Sequence, residues 1–244
     1  MFGYLFITFC DEFVVTIFFR FATKAVDNII AGVRKMLEEV PWIKNNKQTY
    51  AGFTEKMNKL TKIIGYPDGL DDQARLDRLH ADFALSANET LNSLYLKSSK
   101  FLAKSILDDR VVRRLNVAST NAVYNPFGNR IIIHLGRLQM NSQNDIPAAI
   151  YGSLGAVIGH EIIHGFDGSS VLVDYGHINP WMSPSGKVSF DSMAHCVINE
   201  YNELNYTDPN GQFYKVNGVQ TAGENVADNS GLRAAYNAFL SDPE

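Results

Sequence analysis

The sequence predicts an α+β fold that is mainly helical. Three features point there. Apolar residues recur at helical spacing through residues 26–102. Two β-rich runs flank the turn-forming segment Asn125-Pro126-Phe127-Gly128-Asn129. Long helical runs then follow to the end of the chain. The expected organisation is a helical part over residues 1–115 and a mixed part, holding the chemistry, over 116–244.

The first helix is read from Val26, Ile29, Ile30, Val33, Leu37 and Val40, and Pro41 disfavours helical geometry just before itself. Phe53, Met57, Leu60 and Ile64 form a second stripe, ended by Gly65-Tyr66-Pro67-Asp68-Gly69. Leu76, Leu79 and Phe83 mark a short third helix, and Leu91, Leu94, Tyr95, Ser98 and Leu102 a fourth. The pattern changes near Asn116, where the hairpin begins. Pro147 to Phe166 reads as a long helix, followed by a polar, Gly- and Ser-rich stretch from Gly168 to about Gly186. Further helices are expected at Ser189–Leu204 and from about Gly223 to Leu240.

Composition narrows the function classes. The chain is 45% hydrophobic and 20% charged over 244 residues, a globular composition. Its net charge of −4 leaves no basic footprint for nucleic acid. The first 21 residues are very apolar but lack the positive region of a signal peptide. Asp11 and Glu12 split them into runs shorter than the ~20 apolar residues a bilayer span needs. A buried element is expected there, with a membrane anchor as the second reading. Cys10 and Cys196 are too few for a disulfide framework and are read as two buried thiols. The triplets Asn88-Glu89-Thr90 and Asn205-Tyr206-Thr207 would permit N-glycosylation in a secretory compartment, although such triplets also arise by chance.

The chemistry concentrates in "VIGHEIIHGFD", Val157 to Asp167. His160 and His164 stand four apart, so a helix places them on one face, one turn from each other. Two imidazoles so placed can reach one zinc ion. Glu161 points away by roughly 100°, beside a zinc site rather than in its ligand set. The surrounding Ile150, Leu154, Val157, Ile158, Ile162 and Ile163 make the helix apolar nearly all round, hence buried. Taken alone, the spacing also fits two core histidines with hydrogen-bond partners. A catalytic zinc needs a third protein ligand, and "TAGENVADNSGLRAAYNAF" offers one. Glu224, Asp228, Leu232, Ala235 and Phe239 fall on one helical arc, expected to face the core. Glu224 would then be the third ligand, and Asp228 would accept the spare N–H of a ligand histidine. The alternative is an exposed first turn, where acids favour a helix N-terminus anyway. His80, His134, His177 and His195 have no partner at ligand spacing and are read as structural or surface residues.

These motifs, with "NAVY" at Asn121–Tyr124 and "IGYPD" at Ile64–Asp68, resemble the neprilysin and endothelin-converting-enzyme family of zinc endopeptidases over about Val26 to Phe239. The resemblance implies a thermolysin-like catalytic part beneath a helical lobe. It implies one zinc per chain held by His160, His164 and Glu224, with Glu161 as catalytic base and Asp228 as an acid assisting proton handling. Asn121 and Ala122 match edge-strand residues that bind a substrate's peptide backbone. Peptides are the implied substrates, and the implied location is extracellular or cell-surface. Departures are His134-Leu135-Gly136 in place of Pro-Ala-Gly, and Trp181-Met182 in place of a Trp pair. Cys196 matches a family cysteine whose partner lies beyond Glu244, as do a histidine and an arginine the family uses. The expectation is therefore a truncated member with impaired peptide hydrolysis. The alternative is a non-catalytic, zinc-containing peptide-binding or decoy paralogue; a retained Glu161 favours the enzyme, since a structural zinc site needs no base.

Overall fold

Ala22, Val26, Ile29 and Val33 are fully buried along one stripe of helix α1 (Glu12–Glu38), which runs into the centre of the molecule. In this computed structural model the described residues are 12–66, 72–81, 86, 88–108, 119–138, 146–167, 173–174, 177–178 and 180–242. Most of the apolar N-terminal run, with Cys10, lies outside them. Among the described residues no helix is long and apolar enough to cross a membrane.

After α1 the chain enters α2 (Pro41–Lys44), with Pro41 in the first turn, where its missing N–H costs nothing. Helix α3 (Lys47–Asn58) is capped by Asn46, whose Oδ1 accepts the Thr49 N–H at 3.1 Å. The helical stripe expected to run on through Leu60 and Ile64 stops here. Residues Thr61–Gly65 form strand β1 instead. Three of its residues, Thr61, Ile63 and Ile64, are β-branched and fit a pleated sheet better than another helical turn. Helices α4 (Gln73–His80) and α5 (Leu91–Asp108) occupy the positions the third and fourth stripes predict; Phe83 lies outside the described residues.

Strands β2 (Ala122–Asn125) and β3 (Arg130–His134) form the expected hairpin. Asn125 Oδ1 accepts the Phe127 N–H at 3.0 Å in its turn, and Asn129 takes a left-handed φ of 44°. The sheet order is β1-β3-β2, with β1 parallel to β3 and β2 antiparallel to it. Ile131 and Ile133 of the central strand are fully buried. The short helix α6 (Leu135–Leu138) follows directly.

The predicted long helix is continuous but not uniform: α7 (Pro147–Ile150), a π-helical turn at Tyr151–Gly155, then α8 (Ala156–Ile163). The polar stretch that follows falls largely outside the described residues, apart from the antiparallel strands β4 (Val173–Asp174) and β5 (His177–Ile178). Helix α9 (Pro184–Asn202) starts earlier than Ser189, because Ser183 caps it by accepting the Gly186 N–H at 3.0 Å. An unexpected hairpin, β6 (Asn205–Thr207) and β7 (Phe213–Lys215), precedes helix α10 (Ala222–Ser241).

One hydrophobic core joins α1, α3, the sheet, α8, α9 and α10. Two sequence readings are corrected. Cys196 is an exposed free thiol, not a buried one, because it sits on the outer side of α9. The buried face of α10 is not the Glu224–Asp228–Leu232 arc but Ala227, Gly231, Ala234, Ala235 and Ala238. Close helix packing selects small residues, so Leu232 is 57% exposed while the alanines are covered.

Candidate metal centre and catalytic site

The site forms where α8 crosses α10, and glycine makes the crossing possible. A Cβ on Gly159 would lie 2.6 Å from the Gly231 carbonyl oxygen, and one on Gly231 would lie 2.3 Å from the His160 nitrogen. The two backbones therefore touch with no side chain between them. This contact sits immediately beside His160 on one helix and one turn beyond Asp228 on the other.

His160, His164 and Glu224 each offer a ligand atom, and all three atoms lie within 4.8 Å of one another. The two Nε2 atoms are 2.9 Å apart. Glu224 Oε2 lies 3.3 Å from His160 Nε2 and 3.7 Å from His164 Nε2. Three ligands at about 2.0–2.1 Å from one tetrahedral zinc would be separated by about 3.3–3.4 Å. The observed separations bracket that value. The donor set, two imidazoles and a carboxylate, also suits zinc chemically.

Both histidines are held from behind. His160 Nδ1 lies 2.7 Å from Asp228 Oδ1, and His164 Nδ1 lies 2.5 Å from Asp167 Oδ2. Each carboxylate favours a proton on Nδ1, which leaves the Nε2 lone pair for a metal. Asp167 is buried, whereas Glu224 and Asp228 are each 66% exposed. The Asp167 hydrogen bond raises the His164 pKa above the ordinary histidine value, against the opposing effect of burial.

Glu161 faces the sheet. Its Oε2 accepts the backbone N–H of Tyr124 at 2.8 Å. Burial pushes its carboxyl above the ordinary glutamic acid value, against the opposing pull of His164, His160 and the Tyr124 N–H. A half-buried carboxylate of this kind is suited to taking up and releasing a proton.

Strand β2 lies at the edge of the sheet. His134 donates its backbone N–H to the Asn121 carbonyl at 3.3 Å, and His134 Nδ1 lies 2.8 Å from the same oxygen. Antiparallel alternation then turns the N–H and C=O of Ala122 and Tyr124 away from β3. The outward Tyr124 N–H is the one that meets Glu161. Asn121 is exposed, but Ala122 is fully buried, so its outward groups are covered in this arrangement.

Sequence reasoning missed Asp167 and the Gly159–Gly231 contact. The signal for Asp167 was present: an acid three residues past a ligand-spaced histidine can reach back to it at the helix end. Nothing in the spacing indicates that Gly159 meets Gly231, because they are distant in sequence.

A sequence model described as Peptidase family M13 matches residues 121–243. The chain is 36% identical over 203 residues to Neprilysin-11 of Caenorhabditis elegans, covering 80% of this chain and 24% of that protein. It is 32% identical over 228 residues to Neprilysin-3 of Drosophila melanogaster, covering 88% of this chain and 28% of that one. The chain thus spans roughly a quarter of the length of these relatives. Among solved structures it superposes on the Mycobacterium tuberculosis zinc metalloprotease Zmp1, bound to an inhibitor, with a TM-score of 0.75. Identity there is 28%, over 98% of this chain and 36% of the other. PepO from Lactobacillus rhamnosis HN001 gives a TM-score of 0.74 at 29% identity, covering 92% of this chain and 35% of that one.

Proposed function

From the premise that this chain belongs to peptidase family M13, we propose that it carries the metal centre of a zinc-dependent metalloendopeptidase acting on oligopeptides. The observation that carries this reading is the convergence of His160, His164 and Glu224 beside Glu161. His160, His164 and Glu224 hold one zinc ion. A zinc ion bound there would supply Lewis-acid chemistry, which in favourable sites lowers the pKa of a water to about 7.

The remaining work falls to the chain's own groups. Glu161 takes a proton from the attacking water and later passes it to the departing amine. Tyr124 holds Glu161 by its backbone N–H, so the base is fixed to the edge strand. A substrate adds beside β2 as a further strand. Asn121 offers its exposed side-chain amide to the substrate backbone, and Ala122 offers its outward N–H and C=O once the residues covering it shift. A strand so added runs along the edge that leads to Glu161. Asp228 and Asp167 keep the two imidazoles oriented.

The test separates metal binding from catalysis. Purified wild-type protein should hold close to one zinc by elemental analysis, and His164→Ala close to none. Glu161→Gln should keep the zinc and lose cleavage of a mixed peptide library. Equal zinc in wild type and His164→Ala would overturn the ligand set. Zinc retained in the wild type, with no difference in cleavage between it and Glu161→Gln, would overturn the catalytic role and favour a peptide-binding protein.

A further inference from the structure

Asn121 stands one residue before strand β2, where the ladder to β3 ends. The register that pairs Ala122 with Ile133, carried one step further, sets Asn121 opposite His134. Its backbone is held from both sides all the same. The Asn121 N–H donates to Ser119 Oγ at 3.2 Å. Its carbonyl accepts the His134 backbone N–H at 3.3 Å, and His134 Nδ1 lies 2.8 Å from the same oxygen. A carbonyl oxygen only accepts, and it has two lone pairs, so Nδ1 carries the proton and both donors are accommodated. The imidazole is buried, and its β1 neighbour Gly65 carries no side chain beside it. The side chain of Asn121 is by contrast uncommitted. Of the three asparagines around this hairpin, Asn125 accepts from its own turn, and Asn129 bonds the Lys56 carbonyl and the Tyr124 hydroxyl. Asn121 is exposed, and its side-chain amide has no hydrogen-bond partner among the described residues.

We propose that His134 is a positioning residue for peptide binding: its imidazole fixes the Asn121 carbonyl, so that the Asn121 side-chain amide is presented in a set orientation to a peptide unit added at the β2 edge. This rests on the reading of β2 as the substrate-binding edge. An asparagine amide donates and accepts at once, and a peptide unit offers one carbonyl and one N–H. Matching the two requires both amide atoms to be in place. At the end of a ladder the backbone is free to rotate, and ordering it on binding costs affinity. His134 orders it when the chain folds. The backbone bond alone is a loose hold: its 3.3 Å is long beside the usual length of about 2.9–3.0 Å. The imidazole supplies the tighter one, at 2.8 Å. Among the described residues His134 has no hydrogen bond to His160, His164, Glu224 or Glu161. Its loss therefore acts on peptide binding, not on the metal or the base.

The test titrates a fluorescein-labelled mixed library of short peptides with the zinc-loaded full chain, read by anisotropy. The parent protein carries Glu161→Gln, so that nothing is cut. Adding His134→Leu, which removes the donor and keeps apolar bulk, should raise the half-saturation concentration by about 2–10-fold, the loss of one neutral hydrogen bond. His134→Phe, a ring without a donor, should do the same and serves where the leucine variant does not fold. His134→Asn should restore most of the affinity, because asparagine Nδ2 lies as many bonds from the backbone as histidine Nδ1. Asn121→Ala should weaken binding too, and His134→Leu added to it should cost nothing further; a histidine that only stabilises the fold would weaken binding in both backgrounds. With Glu161 restored, His134→Leu should raise KM and leave kcat unchanged. Equal half-saturation in the parent and in His134→Leu overturns the proposal. So does an undiminished effect of His134→Leu beside Asn121→Ala, or His134→Asn binding no better than His134→Leu, or a fall in kcat at unchanged KM. No peptide binding by the zinc-loaded parent, or binding indifferent to Asn121→Ala, overturns the substrate-edge reading itself and this proposal with it.

Discussion

At the scale of single residues, each of the two histidines proposed to hold zinc is backed by a carboxylate. Asp228 and Asp167 each meet the Nδ1 of one histidine, at 2.7 and 2.5 Å. Losing the charge of such a partner typically costs about 10–100-fold in metal affinity. Asp167→Asn and Asp228→Asn should therefore each weaken zinc binding by about tenfold or more, measured by competition with a chromogenic chelator. Asp191→Asn, which breaks only the exposed pair with Lys187, should leave affinity unchanged and serves as the control. An unchanged affinity in Asp167→Asn would show that His164 is oriented by packing alone. The approach of His160 and His164 was legible in the sequence because helical geometry converts a spacing of four directly into a shared face. Asp167 stood in the same quoted stretch but was not recognised, since its role depends on how the chain turns after Ile163. Glu224 and Asp228 do lie beside the histidines, but not on the face the sequence suggests. They were expected to face the core, yet they are mostly exposed at the site.

At the scale of elements, the crossing of α8 and α10 decides whether the residues meet. Gly231→Ala places a methyl group 2.3 Å from the His160 nitrogen and 2.8 Å from Gly159 backbone. The helices must separate, and overpacking of this kind costs roughly 1–3 kcal/mol. Glu224 and Asp228 move with α10, so zinc content should fall along with thermal stability. Gly152→Ala is the matching control, because nothing lies within 4 Å of its added Cβ; it should be neutral or stabilising. Equal melting temperatures for the two variants would show that the contact has slack. Elements were legible where local pattern decides them, as in the β2–β3 hairpin with its Asn-rich turn. Strand β1 was not, because its partner β3 lies far along the chain and a parallel ladder leaves no local turn to betray it. The stripe through Phe53 and Met57 is truly helical and only overran by one turn. The β6–β7 hairpin was missed although Asp208-Pro209-Asn210-Gly211 is a strong turn signal; its strands are short and lack a buried face.

At the scale of the whole molecule, α10 is fastened at both ends by different chemistry. At its first turn Glu224 joins the histidines of α8. At its far end Asp242 Oδ2 accepts from Tyr151 OH at 2.7 Å and from Asn28 Nδ2 at 3.1 Å, while Lys24 Nζ lies 3.2 Å from Oδ1. That cluster ties α10 to α1 and to the π-helical turn. The two fastenings are 18 residues apart on the chain, about 27 Å at a rise of ~1.5 Å per residue. Their contributions to stability should therefore add. Zinc at a free concentration 100 times its dissociation constant stabilises the folded state by about 2.7 kcal/mol. At roughly 2–4 °C per kcal/mol for a chain of this size, chelation should lower the melting temperature by about 5–11 °C, and restored zinc should return it. His164→Ala should melt at one temperature with or without zinc. Asp242→Ala leaves the hydroxyl of the buried Tyr151 without its acceptor, while Asn28 Nδ2 keeps its bond to Tyr151 OH, at a cost of about 1–3 kcal/mol. Its melting temperature should fall by roughly 2–12 °C, and by the same amount in zinc and in chelator. A loss at Asp242 that depends on zinc would mean that the two ends of α10 are coupled through the helix, and the metal centre would then answer to a contact far from its ligands.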